Sequence, residues 1–195
     1  ELIGDVTSIA EGKSGELWLA TMGNGLFRAQ TDSHGRIISS EKVIFPANRE
    51  AATFNTLYSV VMDKQGEIWI SSKGYGTFRI NVTKGNSPSA TIIGEYSEDK
   101  SKGLDDNHVM TLVKDDKGII WAGTWNNGLF YYDWGKRVFV KLKSDQEDLF
   151  KKFPLAKLLF EDENHLIIGT RGNGVLMATL SARRDSIISL SHYTS

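Results

Sequence analysis

Residues 115–130 read Asp115-Asp-Lys-Gly-Ile-Ile-Trp-Ala-Gly-Thr-Trp-Asn-Asn-Gly-Leu-Phe130, and versions of this stretch occur four times in the 195 residues. Its first tryptophan, Trp121, has counterparts at Trp18 and Trp69, and Ile167 stands at the fourth position. The spacings are 51, 52 and 46 residues. Periods of roughly 20–50 residues indicate architectures built from stacked or radially arranged units. The chain is therefore predicted to be a repeat protein.

Each repeat contains four segments that are expected to form β-strands. In the third repeat the first segment is Val109-Met-Thr-Leu-Val113, and the polar turn Asp115-Asp-Lys-Gly118 follows it. The second segment, Ile120-Trp-Ala-Gly123, begins with consecutive apolar residues, which is typical of a strand covered on both faces. A turn rich in Gly and Asn then leads to Leu129-Phe-Tyr-Tyr-Asp133, because such residues tolerate the positive φ angles of tight hairpins. The fourth segment is less regular, and its candidates are residues 42–45, 91–96, 138–142 and 187–193.

Four strands in each of four repeats account for the whole chain, with approximate units at residues 1–46, 47–99, 100–144 and 145–195. A four-stranded antiparallel sheet that recurs every 46 to 52 residues matches a blade of a β-propeller. A solenoid would need shorter repeats. In a sixteen-stranded barrel with a polar lumen, apolar and polar residues would alternate along each strand, whereas the second segment has consecutive apolar residues. We therefore predict an all-β fold, a β-propeller of four blades with four antiparallel strands each, which is a fragment of a larger propeller.

The composition excludes several classes of function. Lys and Arg number 23 against 24 Asp and Glu, so there is no overall field to attract nucleic acid or anionic lipid. The absence of cysteine excludes disulfides, thiolate metal sites and cysteine nucleophiles. No apolar run approaches the roughly 20 residues that span a bilayer. Because the sequence begins at Glu1, we interpret it as an excised or processed piece of a longer protein.

The third repeat resembles the two-component regulator propeller repeat nearly throughout. The family pattern Gly-Leu-x-x-Asn-x-Val is present before the first strand as Gly103-Leu-Asp-Asp-Asn-His-Val109. The resemblance continues in Asp115-Asp-Lys-Gly-Ile-Ile-Trp-Ala-Gly-Thr124 and in Gly128-Leu129. The other repeats match in part. Their departures from the family pattern are Ala20, Ser71, Ser72, Thr77 and Ile167.

This resemblance implies the periplasmic sensor region of a membrane-bound hybrid histidine kinase, of the kind with which Bacteroides-type bacteria detect glycan breakdown products. It also implies more than four blades in the parent protein and signalling through a phosphorelay. The expected partners are an oligosaccharide and either a second copy of the chain or further blades of the parent. The first and last blades should offer apolar faces to that partner. A membrane is expected only through the parent, and no nucleic acid is expected.

Acidic and histidine residues form no recognisable catalytic or metal-binding pattern. Six acidic residues in the turns are interpreted as turn-forming acceptors rather than as glycosidase carboxylates or calcium ligands: Asp63, Asp115, Asp116, Glu161, Asp162 and Glu163. The four histidines show no metal-ligand spacing: His34, His108, His165 and His192. The repeated tryptophans are expected in the core. We predict no catalytic residue, no metal ligand and no cofactor.

The residues that break the repeat are the candidates for ligand binding. Trp125 stands at the turn between the second and third strands, where the other repeats place Met22, Lys73 and Arg171. An aromatic ring beside amides and an arginine can stack on a sugar and bind its hydroxyl or acidic groups. The candidate residues are Lys73, Tyr75, Trp125, Asn126, Asn127 and Arg171. Packing between blades is the alternative role of Trp125. For the whole chain, the alternatives to a non-enzymatic sensor are a carbohydrate-active hydrolase or lyase and a protein-interaction scaffold.

Overall fold

The computed structural model describes residues 3–83, 85, 87–100 and 102–194. Within these residues, sixteen strands form four antiparallel sheets, and each sheet is built from four strands that are consecutive in the chain. The predicted all-β architecture of four four-stranded sheets is therefore confirmed. The chain divides into two compact units, Glu1–Glu95 and Tyr96–Ser195.

Unit 1 contains the first two sheets. The first sheet has the order β1-β2-β3-β4, with β1 Asp5–Glu11, β2 Glu16–Met22, β3 Gly25–Thr31 and β4 Ile37–Lys42. The second sheet has the order β5-β6-β7-β8, with β5 Leu57–Met62, β6 Ile68–Ser72, β7 Gly76–Val82 and β8 Ala90–Tyr96. A short helix, α1 (Ala52–Asn55), lies between the two sheets in sequence.

Unit 2 repeats this arrangement. Its first sheet consists of β9 Val109–Lys114, β10 Ile120–Thr124, β11 Leu129–Asp133 and β12 Val138–Lys141. Its second sheet consists of β13 Leu155–Phe160, β14 His165–Thr170, β15 Val175–Leu180 and β16 Ile187–Tyr193. The helix α2 (Glu147–Lys152) precedes the second sheet, and a 3-10 turn lies at Glu98–Lys100.

One predicted strand is wrong. The fourth strand of the first repeat was expected at residues 42–45, but β4 runs over Ile37–Lys42. This edge strand is polar at Ser39 and Ser40 and exposes Ile37 and Ile38, so it lacks the apolar pattern of the inner strands. The three other predicted fourth strands coincide with β8, β12 and β16 to within one residue.

The cores explain why the second strand of each repeat is so apolar. Every residue of β6 and of β10 is buried, and Trp18, Trp69 and Trp121 are at most 4% exposed. The core positions predicted for the three tryptophans are therefore confirmed. Burying roughly 200 Å² of one such side chain, at about 25 cal/mol per Å², contributes roughly 5 kcal/mol.

Each unit has a core between its two sheets. In unit 1, Trp18 and Leu26 of the first sheet belong to one cluster with Ile70 and Phe78 of the second sheet and Phe54 of α1. The corresponding cluster of unit 2 contains Trp121, Leu129, Phe150, Leu155, Leu166 and Leu176. Apolar side chains are also exposed on the first and fourth sheets, among them Ile9, Leu159 and Ile188. That another chain covers them stays a prediction.

Candidate functional site

The turn aspartate of the second repeat is part of the scaffold. Asp63 Oδ1 accepts hydrogen bonds from the backbone N–H groups of Gln65 (3.0 Å) and Glu67 (2.9 Å). Its Oδ2 accepts from Trp69 Nε1 at 2.8 Å and from Arg79 Nε at 3.0 Å. The Asp63 side chain is fully buried. This carboxylate closes the turn and accepts a hydrogen bond from the buried indole, in agreement with the prediction that Asp63 is a turn-forming acceptor.

Asp115 has the same role in the third repeat, but its arginine comes from a different sheet. Asp115 Oδ2 accepts from Trp121 Nε1 at 3.0 Å and from Arg184 Nη1 at 2.7 Å. Arg184 lies in the loop between β15 and β16 and is only 2% exposed. The same Nη1 donates to Asp116 Oδ1 at 2.9 Å, and this bond lowers the pKa of Asp116. Arg184 could not be identified from the sequence, because its contact with Asp115 joins residues 69 positions apart.

The turn of the fourth repeat holds an exposed ion pair. His165 Nδ1 and Asp162 Oδ2 are 2.7 Å apart. The backbone N–H groups of Asn164 and His165 both donate to Asp162 Oδ1. The hydrogen bond from His165 and these two backbone bonds lower the pKa of Asp162 to about 2. The same side-chain bond raises the pKa of His165. Both side chains are about half exposed, so the pair is a surface feature of the turn.

The hairpin that carries Trp125 is held by hydrogen bonds to the segment before β9. The backbone N–H of Trp125 donates to the carbonyl of His108 at 2.9 Å, and that of Asn126 donates to Asp106 Oδ2 at 2.8 Å. Asn127 Nδ2 donates to the carbonyl of Asp105 at 2.7 Å. Asp106 is 4% exposed. These bonds fix the hairpin, so Trp125 is displayed on a rigid support.

Arg171 lies over the ring of Trp125. Its guanidinium carbon is 5.3 Å from the ring centroid, within the range of a cation–π contact. Trp125 is half-buried and Arg171 is exposed. The two residues occupy equivalent turns of successive repeats, after Thr124 and Thr170. The structure therefore brings together two candidate residues that lie 46 positions apart in the sequence.

The remaining candidates divide between the two units. Asn126 is exposed and Asn127 half-buried beside Trp125 in unit 2. Lys73 and Tyr75 are both exposed on the hairpin between β6 and β7 in unit 1, where Tyr75 keeps 38% of its surface accessible. The candidate set is thus a cluster of four residues in unit 2 and a pair in unit 1.

Polar groups around Trp125 extend the candidate site beyond the residues predicted from the sequence. His108 is 53% exposed, and its Nδ1 lies 3.4 Å from Asp106 Oδ1. Asp105 is 52% exposed and lies 3.7 Å from Lys141 Nζ. The pairing of Val109 with Thr124 in the antiparallel register of β9 and β10 brings these residues beside the Trp125 turn. The antiparallel pairing of β9 with β10 could have indicated these residues from the sequence, because the residues that precede β9 lie beside those that follow β10.

Neither a metal cluster nor a membrane-spanning helix is present in the part of the chain that the structure describes. Among those residues, no group of three or more His, Asp or Glu side chains is arranged to hold a metal ion. The helices in the same residues are too short and too polar to cross a bilayer.

The family model of the two component regulator propeller matches residues 103–126. The match confirms the resemblance in the third repeat, and it ends in the turn that contains Trp125. No protein of curated function matches the chain in sequence.

Solved structures match the chain over nearly its whole length. One is the extracellular domain of BT4673 from B. thetaiotaomicron, assigned to the hybrid two component systems, with 21% identity, a TM-score of 0.69 and coverage of 99% of this chain and 26% of that one. The extracellular domain of BT3049 from the same organism, with the same assignment, has 20% identity, a TM-score of 0.64 and coverage of 98% and 25%.

The Dos1 propeller has 12% identity, a TM-score of 0.64 and coverage of 100% of this chain and 51% of that one. At these identities the likeness establishes the fold, and the predicted β-propeller is confirmed. The chain spans about a quarter of the length of the two extracellular domains.

Proposed function

We propose that the chain is a non-enzymatic, ligand-binding part of the periplasmic sensor propeller of a hybrid two-component histidine kinase. Its ligand is an oligosaccharide derived from a glycan, and the parent protein carries the signal across the membrane. The observation that carries this proposal is the Trp125–Arg171 pair on its rigid hairpin. The match of the same hairpin to the regulator propeller family and the similarity to two extracellular sensor domains support it.

The chemistry around Trp125 suits a sugar. The indole offers an apolar surface for the face of a pyranose ring, and the Arg171 guanidinium offers donors for hydroxyl or acidic groups. The exposed Asn126 amide adds both a donor and an acceptor, and the Asp105 carboxylate adds acceptors. A few convergent polar groups beside an aromatic surface are typical of small-molecule sites.

The bonding of the turn carboxylates supports binding rather than hydrolysis. A glycosidase needs two carboxyl groups that face the substrate, one of them able to donate a proton. Asp63 and Asp115 are buried and already bonded to an indole and an arginine, so neither is available to a sugar. The partner that transmits the signal is a second copy of the chain or further blades of the parent, which would cover exposed residues such as Ile9 and Ile188.

Calorimetric titration with a panel of neutral and acidic trisaccharides tests the proposal. At least one trisaccharide should bind, and Trp125→Ala should weaken that binding by roughly tenfold or more, which corresponds to about 1.4 kcal/mol. Met22→Ala is the matched control, because Met22 is an exposed apolar residue at the equivalent turn of the first repeat. It should leave binding unchanged. Equal binding by wild type and Trp125→Ala would overturn the assignment of the site, and sugar products released during the titration would favour the hydrolase or lyase.

A further inference from the structure

The first repeat lacks the aspartate that the second and third repeats use. The backbone N–H of Gly12 donates to the carbonyl of Glu16 at 2.7 Å, as Asp63 donates to Glu67 at 2.9 Å and Asp115 to Ile119 at 3.0 Å. These equivalent turn bonds identify Gly12 as the counterpart of the two aspartates. The carboxylate that would lie beneath Trp18 is therefore missing from the sequence.

The groups that bind this carboxylate elsewhere are nevertheless present in the first repeat. Trp18 pairs with Arg28 across β2 and β3, as Trp69 pairs with Arg79 across β6 and β7. In the second repeat the indole and the guanidinium both donate to Asp63. The first repeat thus keeps the tryptophan and the arginine without an aspartate between them, and Arg28 Nη2 instead lies 3.5 Å from Glu41 Oε2.

The indole N–H of Trp18 has no hydrogen-bond partner among the residues that the structure describes. Trp18 is only 4% exposed, so this donor lies within the fold. A buried donor left without an acceptor is costly, and such a group in a native fold calls for an explanation. An acceptor supplied from outside the chain would satisfy it.

A cavity of about 420 Å³ lies at this place in unit 1, between its two sheets. Its lining includes Trp18, Arg28 and the turn residue Lys13 from the first repeat, and Asn81 and the turn residue Gln65 from the second. Lys13 and Arg28 supply two cationic groups, and Glu16 in the same lining supplies a carboxylate. Arg28 Nη2 lies 3.5 Å from Glu41 Oε2, and Asn81 Nδ2 donates to the Glu67 carboxylate. The Trp18 indole, unpartnered among the described residues, and the Lys13 ammonium are the donors that favour a carboxylate guest.

The corresponding place in unit 2 is filled by protein. There Asp115 supplies the acceptor and Arg184 lies against it. The rings of Tyr131 and Phe160 pack on Trp121 at centroid distances of 5.6 and 5.3 Å. Unit 1 has Arg28 in place of Tyr131 and Met62 in place of Phe160, and the space stays open.

We propose that the cavity beneath Trp18 binds the carboxylate of a small organic acid or a sugar acid, which takes the place that the Asp63 side chain has in the second repeat. The carboxylate accepts from the Trp18 indole and the Arg28 guanidinium. Arg28 Nη2 already donates to the carbonyl of Gly85 at 2.6 Å, and this bond holds the guanidinium at the rim. The site is separate from the Trp125 cluster and does not depend on the function proposed for that cluster.

Nitrogen–proton NMR of the full chain tests the proposal through the indole N–H signals of its five tryptophans. Sodium acetate and sodium D-glucuronate are titrated separately, with D-glucose as the neutral control, and Trp18→Phe assigns the resonance of Trp18. The Trp18 signal should move with at least one carboxylate and not with glucose, while the signals of Trp69 and Trp121 stay in place. A response to glucuronate alone identifies a sugar acid, and a response to both identifies the carboxylate as the group recognised.

Gly12→Asp is the decisive variant, because it supplies the missing carboxylate from within the chain. An added Cβ at Gly12 would lie 2.5 Å from Glu16 Oε2 and 3.0 Å from its Cβ and Cγ, so the Glu16 side chain has to shift in this variant. This variant should abolish the shift and raise the midpoint of thermal unfolding, so loss of binding cannot be mistaken for loss of structure. Gly12→Ala adds the Cβ alone and should keep the response, and Arg28→Gln should weaken it by roughly tenfold or more.

Three outcomes would overturn the proposal: no movement of the Trp18 signal at carboxylate concentrations up to roughly 10 mM, equal movement with glucose, or an unchanged response in Gly12→Asp. Trp125→Ala should respond like the wild type. Its normal response separates a failure of the oligosaccharide site from a failure of this one.

Discussion

Removal of the Asp63 carboxylate should destabilise unit 1 more than any change at an exposed turn. In Asp63→Ala, the Trp69 indole and the Arg79 guanidinium lose a common acceptor, and two backbone N–H groups of the turn lose theirs. The Arg79 side chain is 20% exposed, while the Asp63 side chain is completely buried. The substitution therefore removes the Asp63 acceptor from a mostly buried cation and from a buried indole.

The magnitude follows from these contacts. Breaking a buried ion pair by removing one partner costs about 3–5 kcal/mol. Because water can reach part of Arg79, the lower end of this range applies, and we expect a loss of about 3 kcal/mol in the free energy of unfolding. The double variant Asp63→Ala/Arg79→Met removes the mostly buried positive charge as well, so it should be more stable than Asp63→Ala alone.

Urea denaturation followed by tryptophan fluorescence measures this loss, provided that the dependence on urea is equal in the proteins compared. Asp162→Ala is the matched control, since Asp162 is also a turn aspartate but is 54% exposed. A surface pair of this kind contributes little to stability, so Asp162→Ala should lose far less than Asp63→Ala. A loss below about 1 kcal/mol in Asp63→Ala, or one equal to that of Asp162→Ala, would refute the reasoning.

Two further predictions concern single turns. Since Asp162 raises the pKa of His165 and its own pKa falls to about 2, their pair should stabilise the fold fully between the ordinary values of 3.8 and 6.5. This contribution disappears as the pH rises through the His165 pKa or falls towards 2, and an NMR titration of Asp162→Asn should show the His165 pKa lowered. Gly103→Ala should destabilise the protein by more than the roughly 1–2 kcal/mol expected for Gly35→Ala, as judged by urea denaturation. Both glycines have positive φ, but only at Gly103 would the new Cβ overlap a backbone carbonyl, that of Phe139, so equal losses would contradict the steric argument.

Local pattern was enough to predict the inner strands. Every residue of β6 and β10 is buried. Burial on both faces of these strands requires consecutive apolar residues, and this pattern is recognisable in the sequence. The edge strand β4 was predicted at the wrong residues because its position depends on pairing with β3 rather than on burial. Ile37 and Ile38 are exposed there, and the strand ends before the buried Val43.

The candidate site was predictable only in part. Trp125 and Arg171 were identified because the residue at this turn position differs from repeat to repeat. Their proximity follows from their equivalent positions in successive repeats. Asp106 and His108 carried no such signal, since their place beside the turn depends on the strand register. Gly12 stands where the second repeat has Asp63. The importance of this difference is recognised only from the hydrogen bonds that Asp63 accepts in the structure.

The origin of the arginine beside each aspartate limits how this repeat array can change during evolution. Asp63 takes Arg79 from its own sheet, whereas Asp115 takes Arg184 from the sheet that follows. A gene deletion that removed the last repeat would leave a buried negative charge in the third without its counter-ion. Repeat proteins often gain and lose units because neighbouring repeats interact only through their shared interfaces. Here the third and fourth repeats would have to be inherited, duplicated or lost together.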